Sequence, residues 1–239
     1  MKIFSPNYSK KPRNIKEINF IIIHYTGMQS KRVSIKRLTD KKSKVSCHYL
    51  IDRSGKLYSM VEDSKVAWHA GKSKWKRYKN LNRKSIGIEL VNKGHKFGYQ
   101  AFPPSQIRSL IKLCKNLKKK YKIKNSCVLG HSDIAPLRKK DPGEKFPWHI
   151  LFKKNLSVWP LKKINQIENK FKKKYKKLFF KNIYKIGYRY FNKNYNKSSK
   201  NNKLVVKAFQ SKFSSKTVDG IIDQKTYEIS HYLANQIKI

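Results

Sequence analysis

The stretch Ile18-Asn-Phe-Ile-Ile-Ile-His24 sets the fold class. It is a short run dominated by β-branched residues, with no polar alternation, and it stops at Thr26-Gly27. Such a run reads as a strand covered on both faces, the usual situation in a parallel sheet. Two more runs have the same character: SIGIELVN (Ser85–Asn92) and SCVLGH (Ser126–His131). CHYLIDRSGKLYSMV (Cys47–Val61) reads as a hairpin turning across Asp52–Gly55, with the glycine supplying the turn. PPSQIRSLIKLCKNLKKKY (Pro103–Tyr121) has helical spacing, with Ile107, Leu110, Ile111, Cys114 and Leu117 on one face and two prolines suited to the first turn. Strands alternating with a long amphipathic helix predict an α/β protein, a mixed central β-sheet flanked by helices.

The composition shifts after Trp159-Pro160. In LKKINQIENKFKKKYKKLFF, Leu161, Ile164, Ile167, Phe171, Tyr175 and Leu178 recur at helical spacing under a lysine-covered outer face. The polar stretch Asn192–Lys203 reads as a loop, and LVVKAFQSKF (Leu204–Phe213) returns to a helical pattern. The expected organisation is a domain over residues 1–160 and a small three-helix domain over residues 161–239.

Composition narrows the function classes. Aromatic residues make up 13% of the 239-residue chain, which argues against disorder throughout. Three cysteines, Cys47, Cys114 and Cys127, show no CxxC spacing, so neither a disulfide framework nor a cysteine-rich zinc site is expected. The run Ile18–Ile23 is too short to span a bilayer, and the N-terminus carries no apolar segment of signal-peptide type. A soluble protein without a transmembrane segment is expected, in the cytoplasm, with the cell envelope as the alternative. Fifty-eight Lys+Arg against 13 Asp+Glu give a net charge of +45. Such a field attracts polyanions whatever the fold. A nucleic-acid binder is one reading, but neither a base-stacking platform nor a helix-turn-helix signal accompanies the charge, and no specific nucleic-acid partner is expected. The oligomeric state is not legible.

The chemistry-bearing residues sit at strand ends. His24 closes the first run and His131 the third, and ligand sites form where the strands of an α/β sheet end. Ten residues after His131, Asp141 lies in a Pro-Gly turn that folds back toward the strand. Two histidines and one carboxylate leave a fourth zinc position open, the catalytic arrangement. A DPG sequence is also an ordinary turn. Glu89 is a carboxylate inside an apolar strand, either a general base or an edge residue facing water. Lys139, two residues before Asp141, could stabilise an oxyanion or be one more lysine of a lysine-rich chain.

Seven blocks carry a family resemblance: SPNY (from Ser5), IIIHYTGM (from Ile21), VSCHYLID (from Val45), GKLYSMVEDSKVAWHAG (from Gly55), LNRKSIGIELVN (from Leu81), GHSDIAPLRKKDPGEKFPW (from Gly130) and VWP (from Val158). In order and spacing they resemble the zinc-dependent N-acetylmuramoyl-L-alanine amidases of the amidase-2 (AmpD/AmiD-like) family. The resemblance implies Zn2+ on His24, His131 and Asp141, Glu89 as catalytic acid/base and Lys139 as transition-state stabiliser. It implies a peptidoglycan or muropeptide substrate bound by Tyr25, Trp68 and His69, with His48 and Asp133 in supporting places. Cys47 departs from the small residue or tyrosine of relatives. A non-catalytic peptidoglycan-recognition protein would share the fold but lack a zinc ligand. IGY from Ile186, KAFQSKF from Lys207 and VDGIIDQKT from Val218 resemble, more weakly, a three-helix peptidoglycan-binding domain.

Overall fold

A run of isoleucines can be buried on both sides only if layers cover both faces of its sheet. The computed structural model, which describes residues 1–161, 174–192 and 199–236, has that arrangement. In chain order the strands are β1 (Tyr8–Ser9), β2 (Phe20–Tyr25), β3 (Tyr49–Ile51), β4 (Leu57–Ser59), β5 (Val66–Ala67), β6 (Lys74–Trp75), β7 (Tyr78–Lys79), β8 (Ser85–Leu90) and β9 (Val128–Gly130). The helices are α1 (Lys31–Thr39), α2 (Pro104–Tyr121), α3 (His131–Ile134), α4 (Trp148–Lys153), α5 (Lys174–Ile186), α6 (Lys200–Phe213) and α7 (Gln224–Gln236). The central sheet has the order β4-β3-β8-β2-β9. β3, β8, β2 and β9 run parallel, and β4 returns antiparallel on β3 through the expected hairpin. It is thus a mixed sheet flanked by helices.

Alternation along β2 divides the core. Ile21 and Ile23 join Ile86, Ile88 and Leu90 of β8 beneath Ile107, Leu110, Cys114 and Leu117 of α2. Phe20 and Ile22 face the other way, into a cluster with Leu129 and with Phe179, Ile183, Phe209 and Phe213 from α5 and α6. The C-terminal helices therefore share one apolar core with the sheet. Each such side chain contributes about 1.5–3 kcal/mol when fully buried. A third cluster gathers Leu38, Leu50, Tyr58, Met60 and Cys47, whose thiol lies 3.7 Å from the Met60 sulfur.

Several boundaries differ from expectation. β9 ends at Gly130, and His131 opens the single turn α3. α1 had no apolar stripe to announce it; Ser30 caps it by accepting from the Val33 N–H. α6 begins at Lys200, inside the stretch read as loop, because the Ser199 hydroxyl caps it by accepting from the Asn202 N–H. In α5 the buried face is Phe179, Ile183 and Ile186, whereas Leu178 is 37% exposed and Leu161 is 70% exposed. The aromatic pair Phe179-Phe180 outweighs the lone leucine before it. Ile164, Ile167, Phe171 and residues 193–198 lie outside the described residues. Among the described residues, no helix is long and apolar enough to cross a membrane.

Candidate metal centre and active-site cavity

Parallel pairing of β2 with β8 sets His24 opposite Glu89, and pairing of β2 with β9 sets Ile23 opposite Gly130. His24, Glu89 and His131 thus emerge together at the C-terminal ends of three adjacent strands. The DPG turn brings Asp141 to the same point. The Ser132 N–H donates to the Asp141 carbonyl at 2.8 Å. Pro142 packs so closely on Gly130 that a Cβ there would lie 2.6 Å from its Cδ.

The three side chains converge, all buried. His24 Nδ1 is 2.9 Å from His131 Nδ1 and 3.0 Å from Asp141 Oδ2, and His131 Nδ1 is 3.1 Å from Asp141 Oδ2. The hydrogens can be assigned from the outside inward. Ser85 Oγ donates to the Leu81 carbonyl at 2.7 Å, so it must accept from His69 Nε2 at 3.2 Å. Neutral His69 then has its lone pair on Nδ1 and accepts from His24 Nε2 at 3.0 Å. On the other side, His131 Nε2 lies 3.2 Å from the Ala70 carbonyl and 3.3 Å from Arg138 Nη2; donating to the carbonyl leaves its lone pair on Nδ1. Both Nδ1 atoms therefore carry lone pairs, and with Asp141 Oδ2 three electron pairs point at one small space. Without a cation they would repel; around tetrahedral zinc, ligand atoms stand about 3.3 Å apart. The donor set fits Zn2+, and among the described residues it is the one cluster of this kind.

Burial, together with the charge of His131, lowers the His24 imidazole to about 4. Burial alone would raise the Asp141 carboxyl, but charge and hydrogen bonds from His131 and His24 hold it far below the usual carboxylate range. Glu89 behaves oppositely. Its Oε2 is buried and has no hydrogen-bond partner. Burial first, and then the charge of Asp141, raises its carboxyl to about 8 against the opposing Lys139. β8 is a central strand, so Glu89 is not an edge residue.

These groups open into a cavity of about 570 Å³. All eight expected site residues border it: His24, Tyr25, Trp68, His69, Glu89, His131, Lys139 and Asp141. Lys139 is exposed at the rim. Tyr25 Oη meets His95 Nδ1 at 2.8 Å, and burial raises its phenol to about 12. Trp68 Nε1 donates to Ser9 Oγ at 3.1 Å. The His69 ring, expected at the cleft wall, lies behind His24 with both nitrogens engaged.

Residues 14–144 match the family described as N-acetylmuramoyl-L-alanine amidase, Amidase_2. The chain belongs to this amidase family. It is 41% identical over 155 residues to the N-acetylmuramoyl-L-alanine amidase AmiD of Escherichia coli; that match covers 60% of this chain and 55% of the relative's length. It is 32% identical over 165 residues to the 1,6-anhydro-N-acetylmuramyl-L-alanine amidase AmpD of Haemophilus influenzae, over 62% and 87% of the two chains. The solved complex of E. coli AmiD with the substrate anhydro-N-acetylmuramic acid-L-Ala-D-γ-Glu-L-Lys superposes with a TM-score of 0.82 at 29% identity, over 96% of this chain and 92% of that one. AmpDh3 of Pseudomonas aeruginosa with anhydromuramic pentapeptide gives a TM-score of 0.79 at 28% identity, over 98% of each.

This amidase-family chain also contains site residues that its sequence did not single out. Asn82 Oδ1 accepts from the N–H groups of His69 and Ala70 at 3.1 and 2.6 Å and so pins the Trp-His-Ala-Gly turn. Arg138 donates to the Ala70 and Lys72 carbonyls behind His131. His95 links Tyr25 to Glu144, 3.1 Å from its Nε2. A Cβ at Gly87 would lie 2.3 Å from His69 Cγ. That glycine, unusual inside a strand, was the one available signal.

Proposed function

We propose that the chain is a Zn2+-dependent N-acetylmuramoyl-L-alanine amidase. It hydrolyses the amide between the lactyl carboxyl of N-acetylmuramic acid, or of its anhydro form, and L-alanine. One observation carries this reading: a single cavity holds three converging lone pairs and, beside them, an unpartnered carboxyl of raised pKa. His24, His131 and Asp141 would hold the metal. Bound there, Zn2+ supplies a Lewis acid that polarises the scissile carbonyl and lowers the pKa of water.

The chain's own groups supply the rest. Glu89 takes a proton from the attacking water as oxygen bonds to the carbonyl carbon. Because its buried carboxyl favours the protonated form, Glu89 then returns that proton to the L-alanine nitrogen, whose bond to carbon breaks. The Lys139 ammonium, at the cavity rim, offsets the charge that develops on the carbonyl oxygen. Tyr25 and Trp68 border the space for substrate, and His69 orients His24. For residues 161–239 we retain the reading of a peptidoglycan-binding unit, supported by the α6 residues that line a second cavity next to the first.

The test pairs metal content with product release. Wild-type protein should hold about one zinc and release a free L-alanine amine from an anhydro-muropeptide. Glu89→Ala should keep the zinc and lose at least about a hundredfold in turnover. Near wild-type turnover in Glu89→Ala would remove Glu89 from its role. Full zinc occupancy in His24→Ala would remove that ligand, and zinc binding without any amine release would favour non-catalytic recognition.

A further inference from the structure

At the end of the sheet opposite the metal ligands lies a separate cavity of about 480 Å³. Asn19 and Phe20, where β2 begins, form one side, and Ser126 and Cys127, which lead into β9, form another. The hairpin of β6 and β7 closes it with Lys76, Arg77 and Tyr78, and the segment after α2 adds Lys122 and Lys124. Cations from two segments thus meet at one space, and no lining residue is acidic. The catalytic cavity also has cations on its walls, but there Glu89 and Asp141 stand among them. Among the described residues, none of Lys76, Arg77, Lys122 and Lys124 is ion-paired. Glu17, close to Asn19 in the chain, is already held by Arg83 and Lys84 at 3.1 and 3.3 Å. Burial raises the Cys127 thiol, while its hydrogen bond with Ser126 and the charges of Lys76 and Lys124 oppose the rise. Two ammoniums, one from each segment, therefore act on one half-buried sulfur. The Arg77 guanidinium lies 5.4 Å from the centre of the Tyr78 ring, and that ring packs edge-on against the buried Phe20 at 5.0 Å.

We propose that this cavity binds a phosphate group, carried by a soluble phosphate ester or by a phospholipid headgroup. Unpaired like charges around one space repel each other. A phosphate monoester, with close to two negative charges, offsets that repulsion where a single carboxylate leaves a surplus of positive charge. Its three terminal oxygens point in different directions, which suits donors that arrive from two segments: the planar fork of Arg77 and the point charges of Lys76 and Lys124. The half-buried Tyr78 ring gives the organic part of such a ligand an apolar wall. The cavity sits where β2 and β9 begin, whereas His24 and His131 stand where they end. An occupant therefore leaves the catalytic cavity open, and the protein can hold a phosphate-bearing ligand and a substrate at the same time.

The test reads the alkylation of Cys127 by iodoacetamide on zinc-loaded full-length protein at constant ionic strength. Cys47 and Cys114 are buried, so Cys127 is the thiol that reacts first. Inorganic phosphate should slow its alkylation by about tenfold once it is at about ten times its Kd, and acetate at the same ionic strength should not. Lys76→Gln/Lys124→Gln should weaken phosphate binding by about tenfold, each lost cation accounting for up to about fivefold. Each protein is compared with itself, because both lysines also act on the thiol. Lys41→Gln/Lys42→Gln removes the same charge from an exposed turn outside the cavity and should leave the protection unchanged. Phosphatidylcholine vesicles with and without phosphatidic acid form the second arm. Protection by free phosphate assigns the site to soluble esters. Protection by phosphatidic acid vesicles alone, abolished in Lys76→Gln/Lys124→Gln, assigns it to a lipid headgroup. No protection in either arm would overturn the proposal, as would protection that acetate matches, that survives in Lys76→Gln/Lys124→Gln, or that Lys41→Gln/Lys42→Gln loses equally.

Discussion

The substitution Lys212→Met tests how firmly the C-terminal helices hold the metal-side loop. Lys212, on α6, is only 4% exposed. Its ammonium lies 2.7 Å from Asp133 Oδ2, 3.3 Å from the Val128 carbonyl and 4.0 Å from the centre of the Trp148 ring. Asp133 is equally buried. Its Oδ2 also accepts the Gly130 N–H at 2.8 Å, and its Oδ1 accepts from the Tyr188 hydroxyl. One carboxylate thus ties α6 and the Tyr188 segment to the turn that presents His131. Methionine keeps the length and apolar contacts of lysine but leaves Asp133 without its counter-charge. Removing one partner of a buried pair costs about 3–5 kcal/mol. Because the Gly130 and Tyr188 donors remain, the lower end, about 3 kcal/mol, is expected. At about 2–4 °C per kcal/mol for a chain of this size, the melting temperature should fall by about 6–12 °C. The double variant Lys212→Met/Asp133→Asn should lose clearly less than the sum of the singles, since each single strands a charge that the double does not. Urea titration of the three variants, followed by circular dichroism, measures this. A Lys212→Met protein within about 0.5 kcal/mol of wild type would show that the pair is solvated and the helices only rest on the sheet.

Two other perturbations address the site itself. His69→Ala should leave the protein folded yet weaken zinc binding by about 10–100-fold, because His24 loses the acceptor that fixes its tautomer; Gly87→Ala should do the same by displacing the ring, and unchanged affinity in both by chelator competition would dismiss the relay. Chelator-treated protein should lose stability as pH falls from 7 to 5: unfolded histidines protonate near 6.5, while burial holds His24 to about 4 and His48 to about 3. The unfolded chain then binds the extra protons, and each of these two histidines contributes about 2 kcal/mol of loss by pH 5. Glu89, raised to about 8, opposes this because its folded form keeps a proton that the unfolded form loses; Glu89→Gln should therefore steepen the acid loss, and a flat pH–stability curve would argue against neutral buried histidines.

The central sheet was legible because burial on both faces leaves a plain trace: no polar residue interrupts Phe20–Ile23 or Ile86–Ile88. The Asp52–Gly55 hairpin and the α2 stripe were equally open, since turn chemistry and 3.6-residue spacing are local signals. α1 was not. Only Ser34 and Leu38 of its nine residues are buried, and two buried residues do not make a stripe. The buried side of α5 was misplaced because Tyr175-Lys-Lys-Leu178 and Phe179-Phe180 offer competing registers among lysines, and only contact with Phe209 on α6 decides between them.

The site shows the same boundary between local and non-local information. His24, Glu89 and His131 could be placed by hand because each follows or interrupts an apolar strand, and strand register does the rest. His69 could not. Its sequence neighbours, Trp68 and Ala70, are those of a surface turn, and its role follows from Ser85, sixteen residues on, whose hydroxyl is committed to the Leu81 carbonyl. That commitment propagates through two imidazoles to give His24 a lone pair at Nδ1. Lys212 is the most distant case: among 58 Lys+Arg side chains nothing in the sequence marks the one that is buried against Asp133, 79 positions away. A charge excess that reads as a diffuse field thus contains at least one cation with a fixed structural partner.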